Sequence, residues 1–88
     1  MIQIRRKASA GTMQSSDLMV IVEPADKLLV EIDSTVKKQY EHLIRTRILS
    51  TLQELGVGAG HIKVSDRGAL DYAIAARIET AIRRASEE

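Results

Sequence analysis

The chain has 88 residues with 13 Lys and Arg against 12 Asp and Glu, enough for one small core and too few for two. A net charge of +1 makes no strong field of either sign, so neither a nucleic-acid sink nor an acidic tail is implied. Without cysteine there is no disulfide framework or thiolate metal site, and without Phe or Trp the aliphatic residues must build the core and base stacking is argued against.

The opening Met1-Ile2-Gln3-Ile4-Arg5-Arg6-Lys7 is not followed by an apolar run of signal-peptide length. No stretch approaches the ~20 apolar residues of a membrane helix. A soluble, cytoplasmic protein is expected. Arg5-Arg6-Lys7 is the densest charge cluster; its plain reading is a solvated arm, its sharper one a contact with phosphates or an acidic partner.

Ala8 to Met13 reads as a short strand, and Gln14-Ser15-Ser16-Asp17 supplies the small polar residues of a reversal. Leu18 to Glu23 is a β-branched apolar run, ended by Pro24-Ala25-Asp26-Lys27, which has the look of a hairpin loop. Leu28 to Asp33 then alternates, Leu28, Val30 and Ile32 on one face and Leu29, Glu31 and Asp33 on the other. Three antiparallel strands joined by short turns are predicted.

From Ser34 the apolar period lengthens to about 3.6. Val36, Tyr40, Leu43, Ile44, Ile48, Leu52 and Leu55 form one stripe, with Lys37, Lys38, Glu41, Arg45 and Glu54 elsewhere, as in an amphipathic helix. Ser34 suits the N-cap and Gly56 the C-terminal stop. Gly56 to Gly60 links to a fourth strand, His61 to Asp66, with Ile62 and Val64 inward. After Asp66-Arg67-Gly68 a second helix runs from about Ala69 to Ala85, its Leu70, Ile74, Ile78, Ala81 and Ile82 facing the sheet. The order β-β-β-α-β-α predicts an α+β two-layer sandwich over 1–88, one domain with a mostly antiparallel four-stranded sheet and two helices on one face. A charge placed at Ile74 or Leu43 is expected to unfold it.

Enzyme motifs fail in turn. Gly56, Gly58 and Gly60 do not have the spacing of a dinucleotide fingerprint, and a strand rather than a helix follows them; no phosphate loop is present. His42 and His61 have no motif-placed nucleophile beside them and read as surface residues. Glu87-Glu88 belong to a tail and receive no catalytic role. No metal site and no catalytic residue are expected. Any thiol chemistry must therefore arrive on an attached group, and the serine at the 14–17 turn is where an attachment would go. Position alone leaves the plain alternative open, a turn serine bonding its own backbone.

Ala10-Gly11-Thr12-Met13-Gln14-Ser15-Ser16-Asp17-Leu18-Met19-Val20 resembles the Ala-Gly-Thr-Leu-Glu-Ser-Ser/Gly-Asp-Val-Met segment of citrate lyase acyl carrier proteins, the gamma subunits of that complex. Ser34-Thr35-Val36-Lys37-Lys38-Gln39-Tyr40 is similar to their Ser-Ser-Val-x-Lys-Gln-Phe/Tyr helix start. Asp66-Arg67-Gly68-Ala69-Leu70-Asp71, with Ile74, Ala76-Arg77-Ile78-Glu79 and Ala81, resembles their Asp-Lys/Arg-Gly-Ala-Leu-Asp-x-x-Ile-x-Ala-Arg-Leu-Glu-x-Ala ending. The departures are small: Gln14 stands where Glu is common, and Tyr72 where some relatives have Cys.

The resemblance implies a non-catalytic carrier and phosphoprotein of citrate fermentation. On it, Ser15 bears a phosphoribosyl-dephospho-coenzyme A group through a phosphodiester, Ser16 being the neighbouring decoy. It implies that the group's thiol carries acetyl, exchanged for citryl on one partner subunit, and that a second subunit cleaves citryl-carrier to oxaloacetate and acetyl-carrier. The implied partners are the citrate lyase alpha and beta subunits, a prosthetic-group transferase and an acetyl ligase, without nucleic acid or membrane. Malonate decarboxylase carriers are the nearest alternative, with Gly-Ser-Gly-Asp around their serine; an unmodified α+β interaction module is the next, and a nucleic-acid-binding domain the third. Ser34 follows Asp33 as the modified serine of helical acyl carriers follows aspartate, but Thr35 and the strand content make it a helix cap instead.

Overall fold

The computed structural model describes residues 2–36 and 38–87. Strands β1 (Ala8–Gly11), β2 (Leu18–Glu23) and β3 (Leu28–Ser34) are followed by helix α1 (Lys38–Leu55), strand β4 (Gly60–Asp66) and helix α2 (Asp71–Ser86). The element order and the α+β class agree with the expectation. Lys37, which the stripe had set aside, and Glu88 lie outside the described residues.

Sheet order departs from the chain order. The strands lie β1-β2-β4-β3, with β1 and β4 antiparallel to β2 and β3 parallel to β4. Pro24 to Lys27 is therefore no hairpin loop: it carries the chain past the place that β4 fills. Three successive antiparallel strands give way to a mixed sheet in which α1 makes the crossover that a parallel pair requires.

Register shows why this insertion wins. Ala10, Val20, Val64 and Ile32 lie directly opposite one another across the strands, as do Ala8, Val22, Ile62 and Val30. The apolar sets of all four strands thus share one face. Leu18, Val20, Val22, Ile62, Ile48, Leu52, Ile78 and Ile82 are wholly buried there, between sheet and helices. The other face is polar or half-buried, with Glu23 pairing Lys7 and Lys63 at 3.4 and 3.8 Å and His61 Nε2 3.1 Å from Glu31. His61 is thus a half-buried sheet-face partner and His42 an exposed residue of α1.

Helix α1 stops where expected. Gly56, at φ 78°, donates its N–H to the Gln53 carbonyl, and Val57 donates to Leu52, the paired bonds of a Schellman ending. Val57 and Leu52 are both core residues, so the cap is closed by apolar contact. The helix stripe is narrower than its sequence pattern. Ile44, Ile48, Thr51 and Leu52 are buried, whereas Tyr40 and Leu43 of α1, and Leu70 before α2, are 49, 56 and 59% exposed. Tyr40 and Leu43 near the start of α1 thus face solvent, whereas Ile74 near the start of α2 is buried.

Arg5 and Arg6 donate their backbone N–H groups to the Ala85 carbonyl, and Ile2 bridges Val57. The basic segment is thus tied beside the last turn of α2. It lies at the opposite end of the sheet from the 14–17 turn.

Candidate functional site

Between β1 and β2 the chain reverses through Gln14-Ser15-Ser16-Asp17, where Asp17 N–H donates to the Gln14 carbonyl at 3.2 Å. Ser16 takes φ 64°, a left-handed conformation that glycine adopts most readily. Its N–H donates to the Arg67 carbonyl at 2.8 Å, and Arg67 N–H returns a bond to Asp17 at 2.9 Å. The turn is thus clasped to the β4–α2 loop. Ser15 is exposed at its tip.

Asp17 anchors the base of the turn. Its Oδ1 accepts from Leu18 N–H (2.8 Å) and Arg77 Nε (3.1 Å); its Oδ2 accepts from the Thr12 hydroxyl (2.7 Å) and Arg77 Nη2 (2.8 Å). This is a forked Arg–carboxylate pair with two further donors, the strong class of ionic hydrogen bond. The Arg77 fork first, then Thr12 and the Leu18 amide, lower the carboxyl from 3.8 to about 2. A folded-state value below the unfolded one means that the ionised anchor stabilises fully above pH 3.8 and is lost as the pH falls through about 2. Asp17→Asn should therefore cost stability by an amount that shrinks over that acid range, measured as urea midpoints against pH. A constant difference from wild type would contradict it.

Gly11 completes the anchor. At φ 93°, a Cβ there would stand 1.9 Å from the Leu18 carbonyl oxygen and 3.3 Å from Arg77 Cδ. The missing side chain lets β1 close on β2 and lets Arg77 cross. Gly11→Ala is expected to cost about 2 to 4 kcal/mol through strain and overpacking, read as a lowered urea midpoint with unchanged slope.

The neighbouring loop is held by a buried carboxylate. Asp66, 1% exposed, accepts from the Ser34 hydroxyl at 2.8 Å, from Gly68 N–H at 3.3 Å and from Ala69 N–H at 3.0 Å. Ser34 ends β3, and its hydroxyl also accepts the Val36 N–H. It steers the chain toward α1 from ahead of the first described helical residue. Both its hydrogen-bonding directions are engaged, unlike those of Ser15.

A cavity of about 520 Å³ beside Ile2, Ile4, Ala25 and Gly58 lies at the other end of the sheet. A groove of about 230 Å³ between the starts of α1 and α2 has Leu43, Ile74 and Asp66 in its lining. Among the described residues no cluster of His, Asp and Glu would hold a metal. No described helix is long and apolar enough to cross a membrane. Asp17, Arg77 and Asp66 were not singled out from sequence as site residues. The one available signal was that Asp66 continues the inward alternation of Ile62 and Val64 with a charge.

A family profile described as "Malonate decarboxylase delta subunit (MdcD)" matches residues 5–85. The citrate lyase acyl carrier protein of Halothermothrix orenii is 46% identical, over 98% of this chain and 93% of its own. That of Pectobacterium atrosepticum is 49% identical, over 98% and 91%. A chain in the crystal structure of a Pseudomonas malonate decarboxylase hetero-tetramer in complex with malonate superposes with a TM-score of 0.73 at 22% identity, over 96% of this chain and 91% of that one. Fold and relatives define an acyl carrier, a protein that bears a group rather than transforming one. The chain belongs to the citrate lyase acyl carrier family, to which the malonate decarboxylase carriers are related. Membership implies a covalently attached prosthetic group.

Proposed function

We propose that Ser15 is the attachment point and that residues 1–88 act as the carrier domain of a citrate lyase in the cytoplasm, bearing phosphoribosyl-dephospho-coenzyme A through a phosphodiester. The observation that carries this assignment is the exposed Ser15, the one residue of the 14–17 turn with no hydrogen bond to another described residue, at the tip of a turn anchored by four hydrogen bonds to one carboxylate. A transferase can bring its donor to an accessible oxygen nucleophile on a rigidly held turn, and a chain without cysteine requires such an attachment if it is to carry thioesters. The group supplies a terminal thiol that holds acetyl or citryl as a thioester. This chain supplies the tether's fixed origin, keeping the acyl group at high effective concentration near the alpha and beta subunits.

The partners under this assignment are those two subunits, the prosthetic-group transferase and an acetyl ligase. The profile's description and the Pseudomonas fold neighbour favour one second reading, the same carrier working with malonyl groups. Intact mass of the chain co-produced with its transferase, with fragments mapped, tests the site. A coenzyme A-like adduct on Ser15 is expected, and acyl transfer from the loaded chain to each enzyme then separates citrate from malonate chemistry. An unmodified chain under those conditions would overturn the carrier assignment in favour of an interaction module.

A further inference from the structure

Two adjacent serines share the turn, and both are exposed, so accessibility alone does not choose between them. Their restraints differ. Gln14 donates its N–H to Thr12 Oγ1 at 3.2 Å, and Thr12 Oγ1 donates to Asp17 Oδ2. The entry to the turn is thereby linked to the carboxylate that closes it. Arg77 grips that carboxylate with two N–H groups, from a helix 60 residues further along the chain. One guanidinium on α2 thus governs both ends of the turn. Ser16 is fixed by its N–H to Arg67 and by its left-handed backbone. Ser15 alone of the residues 14–17 has no hydrogen bond to another described residue.

Resting on the carrier assignment above, we propose that Arg77 is a positioning residue for the loading of Ser15: through Asp17, Thr12 and Gln14 it fixes the turn so that the Ser15 hydroxyl, and not that of Ser16, is offered for group transfer. In that transfer the Ser15 Oγ–P bond forms as a phosphoanhydride P–O bond of the activated donor breaks. The outer phosphates leave as the anion, and the hydroxyl proton passes to a base on the transferase. Arg77 touches none of these atoms. It acts by limiting where Oγ can be, and displacements of about 1 Å are enough to slow a positioned reaction by orders of magnitude.

The experiment compares wild type, Arg77→Met, Arg77→Lys and Asp17→Asn, each with the purified transferase and donor, following loading over time and mapping adducts to Ser15 or Ser16. Met keeps an unbranched stem of similar length past Gly11, with sulfur in place of the Cδ that lies there, while removing the fork. Arg77→Met and Asp17→Asn are expected to load Ser15 about tenfold or more slowly and to place part of the adduct on Ser16. Lys, which retains one charged donor, is expected to restore much of the Ser15 preference. Circular dichroism and thermal melts identify the folded variants, and the Lys and Asn variants keep the test decisive if Met misfolds. A purely structural Arg77 would lower the melting temperature and leave the serine choice unchanged. Loading of Ser15 at the wild-type rate in the folded variants, or slower loading with none on Ser16, overturns the proposal. Wild type that loads on Ser16 overturns the Ser15 assignment and the proposal together, and wild type that loads nowhere overturns the carrier assignment with them.

Discussion

Replacing Ser15 with alanine is expected to abolish loading entirely and to leave the fold unchanged. The hydroxyl is exposed and engaged with no other described residue, so its removal forfeits no native hydrogen bond, and the stability change should stay within about 0.5 kcal/mol. Its chemical effect is all or none, because the carbon side chain that remains has no oxygen to bond to phosphorus. Ser16→Ala should still accept the group, since what Ser16 contributes to the turn is its backbone N–H to Arg67. Ser34→Ala should also be loaded, although it breaks the bond to Asp66. Intact masses of the three variants after co-production with the transferase check this. An adduct retained in Ser15→Ala and lost in Ser16→Ala would reverse the assignment.

The strands and helices were legible in the sequence from their apolar patterns: β2 runs from Leu18 to Glu23 as the apolar run does, and α1 ends at Leu55, just before the glycine that signals its stop. Pairing was not legible. Pro24 to Lys27 has hairpin composition, but turn chemistry says only that the chain reverses, not which strand will lie beside it. That choice was made by β4, whose Ile62 and Val64 find apolar partners on both sides. The serine was legible only through the family resemblance, since its position alone was equally that of an ordinary turn residue. The anchor escaped altogether. Asp17 and Arg77 lie 60 residues apart, and either read alone is a surface charge.

Two side chains of one groove should respond in opposite ways to the same substitution. Ile74 and Leu43 both line the space between the starts of α2 and α1, and both fall on the apolar stripes of their helices. Ile74 is 4% exposed and Leu43 56%. An aspartate at Ile74 loses the transfer energy of a buried aliphatic group, about 2 to 3 kcal/mol, and must also bury a carboxylate. The nearest acidic neighbours in the lining, Asp66 and Asp71, add repulsion rather than a partner. The combined cost of about 4 kcal/mol or more rivals the whole stability of a domain this small, roughly 4 to 13 kcal/mol at ordinary values per residue. Ile74→Asp is therefore expected to be largely unfolded at neutral pH, with loss of helical circular dichroism. Leu43→Asp, which the sequence pattern alone would place in the core, should melt cooperatively within a few degrees of wild type, its carboxylate hydrated at the groove's rim. If Leu43→Asp unfolds as well, the first turn of α1 is packed against something that its exposure does not reveal; if Ile74→Asp folds, α2 does not seal the sheet at this end. The contrast turns on which positions of each stripe the rest of the fold covers, which the apolar period cannot express because it is the same at covered and uncovered positions.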